Sequence, residues 1–98
     1  MGYTALGLAV KNGHLEVAKE LIVRGSNPQV QNNAGQSILF IACWNNNEEC
    51  VRLLLDNKVD VNACDQRGWT PLIISVYHNY IDIAEILLKA GADKQQKD

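Results

Sequence analysis

The sequence predicts an all-α solenoid: three stacked helix-turn-helix pairs joined by projecting β-hairpin-like loops. Three observations carry that prediction. The 98-residue chain falls into register with itself when shifted by 33 residues, without a gap: Gly2, Gly35 and Gly68 align, as do Leu6, Leu39 and Leu72, and Leu21, Leu54 and Leu87. Each period carries the same helix start and stop signals. Each predicted helix pair is too short to bury its own apolar stripe, so only stacking gives a continuous core.

The third period, about residues 67–98, shows the plan most clearly. Thr70 supplies a hydroxyl for an N-cap, and Pro71 follows at the first helical position, where its missing N–H is harmless. A helix is expected from about Pro71 to His78, with Leu72, Ser75 and Val76 on its packed side. Asn79 makes a turn. Ile83, Ala84, Ile86 and Leu87 fall at the spacing of a buried stripe and predict a second helix, about Ile81–Lys89, with Gly91 at the left-handed position that ends it.

The first period, about 1–33, repeats this plan as Ala5–Asn12 and Leu15–Val23, capped by Thr4. The second, about 34–66, repeats it as Ile38–Asn45 and Glu48–Asp56, capped by Ser37. Between the pairs, Ser26–Ala34 and Val59–Arg67 are polar and marked by Gly or Asn, which suits turns projecting from the stack. All three periods form one domain.

At this point a specific resemblance appears. Gly68-Trp69-Thr70-Pro71-Leu72, followed after eighteen intervening residues by Gly91-Ala92-Asp93, closely resembles the ankyrin repeat. So do Asn12-Gly13-His14-Leu15-Glu16-Val17 and Val59-Asp60-Val61-Asn62-Ala63, and the likeness covers essentially the whole chain. Two departures stand out. Gly7, Phe40 and Ile73 occupy the position where the family has a His bracing adjacent loops. Lys58 stands where Gly25 and Gly91 end the other second helices, and a positive φ there would cost this repeat stability.

The resemblance implies a protein-interaction module whose partner lies on the concave face built from loop tips and first helices. Carried over residue by residue, it points to two rows. One is Tyr3, Gln36 and Trp69, just before each cap; the other is Lys11, Trp44 and Tyr77, near the end of each first helix. Arg67 and His78 flank them. Both tryptophans and two of the three tyrosines fall in these rows. Such residues give large, rigid contact area and are enriched at binding hot spots. Trp44, Trp69 and Tyr77 are therefore expected to anchor a partner, with Arg67 supplying a charged hydrogen bond, or else to pack over neighbouring first helices and merely stiffen the stack.

Other functions find little support. A net charge of −2 and a pI near 5.6, with basic residues scattered among acidic ones, argue against a nucleic-acid partner. No apolar run approaches a membrane span. Cys43, Cys50 and Cys64 lack CxxC spacing and suit free thiols in a reducing, intracellular and cytoplasmic setting. Cys43 and Cys50 read as small buried hydrophobes, and Cys64 as a turn residue without a basic neighbour. His14 fills a structural slot, and Glu48 with Glu49 suits a helix start. No metal, cofactor or catalytic constellation is expected.

The ends of the stack raise a second reading. Glu20 stands where later repeats have Leu53 and Ile86, as a solvent-facing first repeat would require. The last repeat makes no matching change: Ile81, Ile83, Ile86, Leu87 and Leu88 stay apolar, with only the tail from Lys94 to Asp98 polar. Either the chain is a segment of a longer array, or it forms a homo-oligomer through this C-terminal repeat.

Overall fold

The computed structural model describes residues 2–92; Asp93 and the polar tail 94–98 lie outside the described residues. Six helices follow one another: α1 (Ala5–Lys11), α2 (Leu15–Val23), α3 (Ile38–Trp44), α4 (Glu48–Asp56), α5 (Pro71–Tyr77) and α6 (Ile81–Lys89). Each first helix packs antiparallel to its own second helix. The first helices α1, α3 and α5 stack as one layer, and the second helices α2, α4 and α6 as another. The described body measures 35 × 25 × 20 Å.

Local chemistry sets the helix starts. The hydroxyls of Thr4, Ser37 and Thr70 accept from the amides of Gly7, Phe40 and Ile73, so the same cap recurs once per period. The three first helices end one residue earlier than the sequence predicts. Asn12, Asn45 and His78 are C-caps, because Gly13, Asn46 and Asn79 turn left-handed immediately after them.

The core runs unbroken between the layers. Leu6, Leu39 and Leu72, and then Leu54 and Leu87, are buried in register, with Phe40 completely enclosed in the middle repeat. Two expectations are corrected here. Val76 does not pack: it is 65% exposed, whereas its counterparts Val10 and Cys43 are 0% exposed. The Cys43 thiol lies against Ser75 of the next repeat, and no such repeat covers Val76 among the described residues. Conversely, Ile83 and Leu87 cannot serve as a self-association surface, because both point inward and are fully buried in this core.

The loops between pairs share one construction. In the first, Asn32 Oδ1 accepts from the amides of Ala34 and Gln36, and Gln31 bridges Ser37 in antiparallel fashion. In the second, Asp65 Oδ1 accepts from the amides of Arg67 and Trp69. The two loops touch: the Gln66 amide donates to the Ala34 carbonyl, and Gln66 Nε2 to that of Asn33. A Cβ at Gly35 would stand 3.0 Å from the Gln66 nitrogen, so this close approach requires glycine.

Lys58 adopts φ 65°, in register with Gly25 at 101° and Gly91 at 98°. A side chain in this region is disfavoured by roughly 1–2 kcal/mol, partly offset by the stiffer unfolded chain. Lys58→Gly is therefore expected to stabilise the protein by about 0.5–1 kcal/mol, which thermal unfolding would register as a Tm rise of about 2–8 °C.

Candidate functional site

The face lined by α1, α3 and α5 carries the eight residues expected to bind a partner, in two clusters that share Trp44. The first cluster is an array of rings at the middle and third repeats. Phe40, buried, lies 5.8 Å from the half-exposed Trp44, and Trp44 lies 5.9 Å from His78. His78 meets Tyr77 edge-on at 5.1 Å, and Tyr77 meets Trp69 edge-on at 5.3 Å. Tyr80 stacks on His78 at 5.1 Å. Such pairs favour tilted or offset geometry because the ring edge is positive and the face negative.

Arg67 binds this array together. Its guanidinium carbon lies 4.6 Å from the Trp69 ring centre and 6.0 Å from that of Trp44. The buried Asp65 holds it there: Oδ2 accepts from Arg67 Nε at 3.0 Å and from Nη2 at 2.8 Å. Oδ1 accepts from the backbone of Arg67 and Trp69, so every donor that faces the carboxylate is satisfied. Burial pushes the Asp65 carboxyl upward, but the Trp69 amide, the Arg67 side chain and amide, and the Arg67 charge outweigh it and hold it below the ordinary carboxylate range. Arg67 is therefore ion-paired with Asp65 and stacked on the rings at the same time.

The second cluster lies towards the first repeat. Tyr3, Lys11, Gln36, Ile41, Trp44 and Asn45 line an open groove of about 380 Å³. The Lys11 ammonium stands 5.9 Å from the Tyr3 ring centre. Asn45 Nδ2 donates to the Lys11 carbonyl across the junction between repeats, and Gln36 Oε1 accepts from Asn32.

Three contributors escape a reading of the sequence. Asp65 shows only a weak signal, its alignment with Asn32 two residues before a loop tip. Tyr80 sits at the N-cap of a second helix and reaches the rings only because α5 and α6 fold back on each other. Ile41, buried beneath the groove, reads as ordinary core.

At the far end of the stack, Val76, Ile81 and Leu88 are exposed and line a shallow, mainly apolar groove of about 200 Å³. Ile86 is half-buried.

Burial disfavours the thiolate at Cys43 and Cys50. Burial pushes Cys43 up to about 12, only partly offset by its hydrogen bond with Ser75. Burial and then the nearby Glu49 charge push Cys50 up as well. Cys64 is exposed. Among the described residues, no three His, Cys, Asp or Glu side chains converge as a metal site would require, and no helix is long and apolar enough to cross a membrane.

Comparison with known proteins gives these features a family. A family model of ankyrin repeats, in three copies, matches residues 2–98. A putative ankyrin repeat protein of Rickettsia felis is 31% identical over 99% of this chain and 32% of its own length. Transient receptor potential cation channel subfamily A member 1 of Homo sapiens is 37% identical over 93% of this chain and 8% of its own. Protein phosphatase 1 regulatory subunit 27 of Mus musculus is 35% identical over 87% of this chain and 56% of its own. The chain thus spans from under a tenth to just over half of these relatives. The gapless period, the recurring caps and the family match agree: this chain belongs to the ankyrin repeat family, whose repeats serve generally as protein-interaction modules.

Proposed function

We propose that this chain binds a protein partner across the concave face formed by α1, α3 and α5, with Trp44, Trp69 and Tyr77 as anchors. The observation that carries this reading is the pinned Arg67. A long side chain normally loses considerable rotamer entropy when a partner immobilises it. Here the ion pair with Asp65 and the two indole rings have already fixed it, so the patch is ordered before a partner arrives. A relative named as a regulatory subunit of a phosphatase is consistent with such a role.

The test is a peptide-display selection on the immobilised chain. Selected binders are expected to lose about tenfold or more in affinity with Trp44→Ala or Trp69→Ala, as central anchors do. Glu20→Ala on α2 should leave them unchanged. Binders indifferent to both tryptophans would overturn the reading.

A second reading, self-association or continuation of the stack through the last repeat, draws on one observation: Val76 is exposed where Val10 and Cys43 are sealed. A solution mass that rises with concentration, and falls back to monomer with Val76→Glu, would favour it over the first.

A further inference from the structure

We infer that the groove between the first and second repeats is a receptor for an apolar side chain carried next to a carboxylate, as in an acidic-aromatic segment of the partner protein. The inference rests on the concave-face reading and adds to it the chemistry of one subsite.

The argument is one of charge and shape. Among the described charged residues of this face, Asp65 and Arg67 satisfy each other at 2.8 Å. Lys11 makes no ion pair among the described residues: its ammonium stands 5.9 Å from the Tyr3 ring, and the residue is exposed. It therefore contributes an uncompensated positive charge at the rim of the groove. No carboxylate among the described residues lines the groove, although acidic side chains outnumber basic ones in the chain, 11 to 9. On the same groove lining, the Gln36 amide oxygen is engaged by Asn32 Nδ2, which leaves its NH2 as the end for a ligand. An ammonium and an amide N–H together match the acceptor pair of a carboxylate.

The walls and floor supply the other half. Tyr3 and Trp44 give apolar contact above the almost fully buried Ile41, in an open groove of about 380 Å³. A ring entering here would meet the Trp44 indole while its neighbouring carboxylate reached Lys11. A cationic or neutral ligand would leave the ammonium unmatched or repelled.

The probes are N-acetyltryptophan, which carries a carboxylate, and N-acetyltryptophanamide, which does not. Each is titrated into the ¹⁵N-labelled chain while the Trp44 indole N–H and the Gln36 and Asn45 side-chain amides are followed by NMR. The acid is expected to shift these signals and to bind at least about threefold more tightly than the amide at low salt, the span of one exposed charge pair. High salt should shrink that preference. Lys11→Gln, an exposed substitution, should bring the two probes level while the ring contact persists. Equal binding of acid and amide to the unaltered chain would overturn the carboxylate assignment while leaving the concave face intact as a partner surface. Absence of shifts at these groups would overturn the subsite itself. The concave-face reading would then stand or fall separately, on whether selected binders depend on Trp69.

Discussion

Replacing Phe40 with Ala is expected to lower the unfolding free energy by about 3–5 kcal/mol, the span observed for large aromatic truncations in sealed cores. Phe40 is 0% exposed and lies in the middle repeat, with a neighbour on either side. Neither flanking repeat can collapse into the space without breaking its own register, so the transfer loss and the cavity add. A domain of this size has about 5–15 kcal/mol to lose, so the variant should be largely unfolded under mild denaturation. Urea unfolding would show the midpoint falling by about 2 M with the slope unchanged. Phe40→Leu, which keeps most of the volume, should cost only about 1 kcal/mol. That milder variant also isolates a second role. Phe40 stands 5.8 Å beneath Trp44, so Trp44 emission should change in the Leu variant although the fold survives. A midpoint shift for Phe40→Ala no larger than that for Phe40→Leu would contradict the claim that the middle repeat is sealed.

Phe40 also shows where the sequence was informative and where it was not. Its register position, after Ser37, Ile38 and Leu39, places it in the first turn of a capped helix. Caps are local: a hydroxyl, the next three residues and sometimes a proline decide them, so Thr4, Ser37 and Thr70 could be read without knowing their neighbours. The repeat itself was legible for the same reason, since Gly2, Gly35 and Gly68 or Leu6, Leu39 and Leu72 need only be aligned. Burial is a different matter. Val10, Cys43 and Val76 share one register position and an apolar character, yet only the two with a following repeat among the described residues are enclosed. Whether Ile83 faces the core or the open end depends on the rotation of α6, which a stripe containing Ile81, Ile83, Ile86, Leu87 and Leu88 leaves undetermined.

The candidate site divides along the same line. The aligned rows bring Trp44, Trp69 and Tyr77 to one face because side chains at equal register positions stack in a solenoid. Their mutual orientation arises from partners that no row contains. Tyr80 reaches His78 from the start of a second helix, and Arg67 is aimed by a carboxylate two residues away rather than projecting freely. An Asp in a loop usually signals only a turn, and its alignment with Asn32 reveals the two backbone donors but not the two from the guanidinium.

That convergence makes Asp65 the other position of large expected effect. Its side chain is 2% exposed and accepts two backbone N–H groups and two guanidinium N–H groups. Asp65→Ala strands the amides of Arg67 and Trp69 and releases the guanidinium, so a loss of about 2–4 kcal/mol is expected. Asp65→Asn tests the charge alone, since its amide oxygen can still accept one set of bonds while its NH2 opposes Arg67. The pH dependence follows from the depressed folded-state carboxyl. Unfolded, the group titrates in the ordinary carboxylate range; folded, it titrates lower. Its contribution is therefore fully present above the unfolded value and is lost as pH falls from there through the folded one. Urea midpoints measured across that window should show the parent chain converging on Asp65→Asn as the solution becomes more acid. Parallel curves for the two proteins would mean the carboxylate charge contributes nothing to the fold. The same titration bears on recognition, because protonating Asp65 frees Arg67 from its anchor above Trp69 and Trp44. Binders that depend on the ordered patch should weaken in the same window in which the loop loses its stability. A partner that merely sought the Arg67 charge would instead gain from its release. The sign of that change therefore separates a preorganised surface from a simple cationic one.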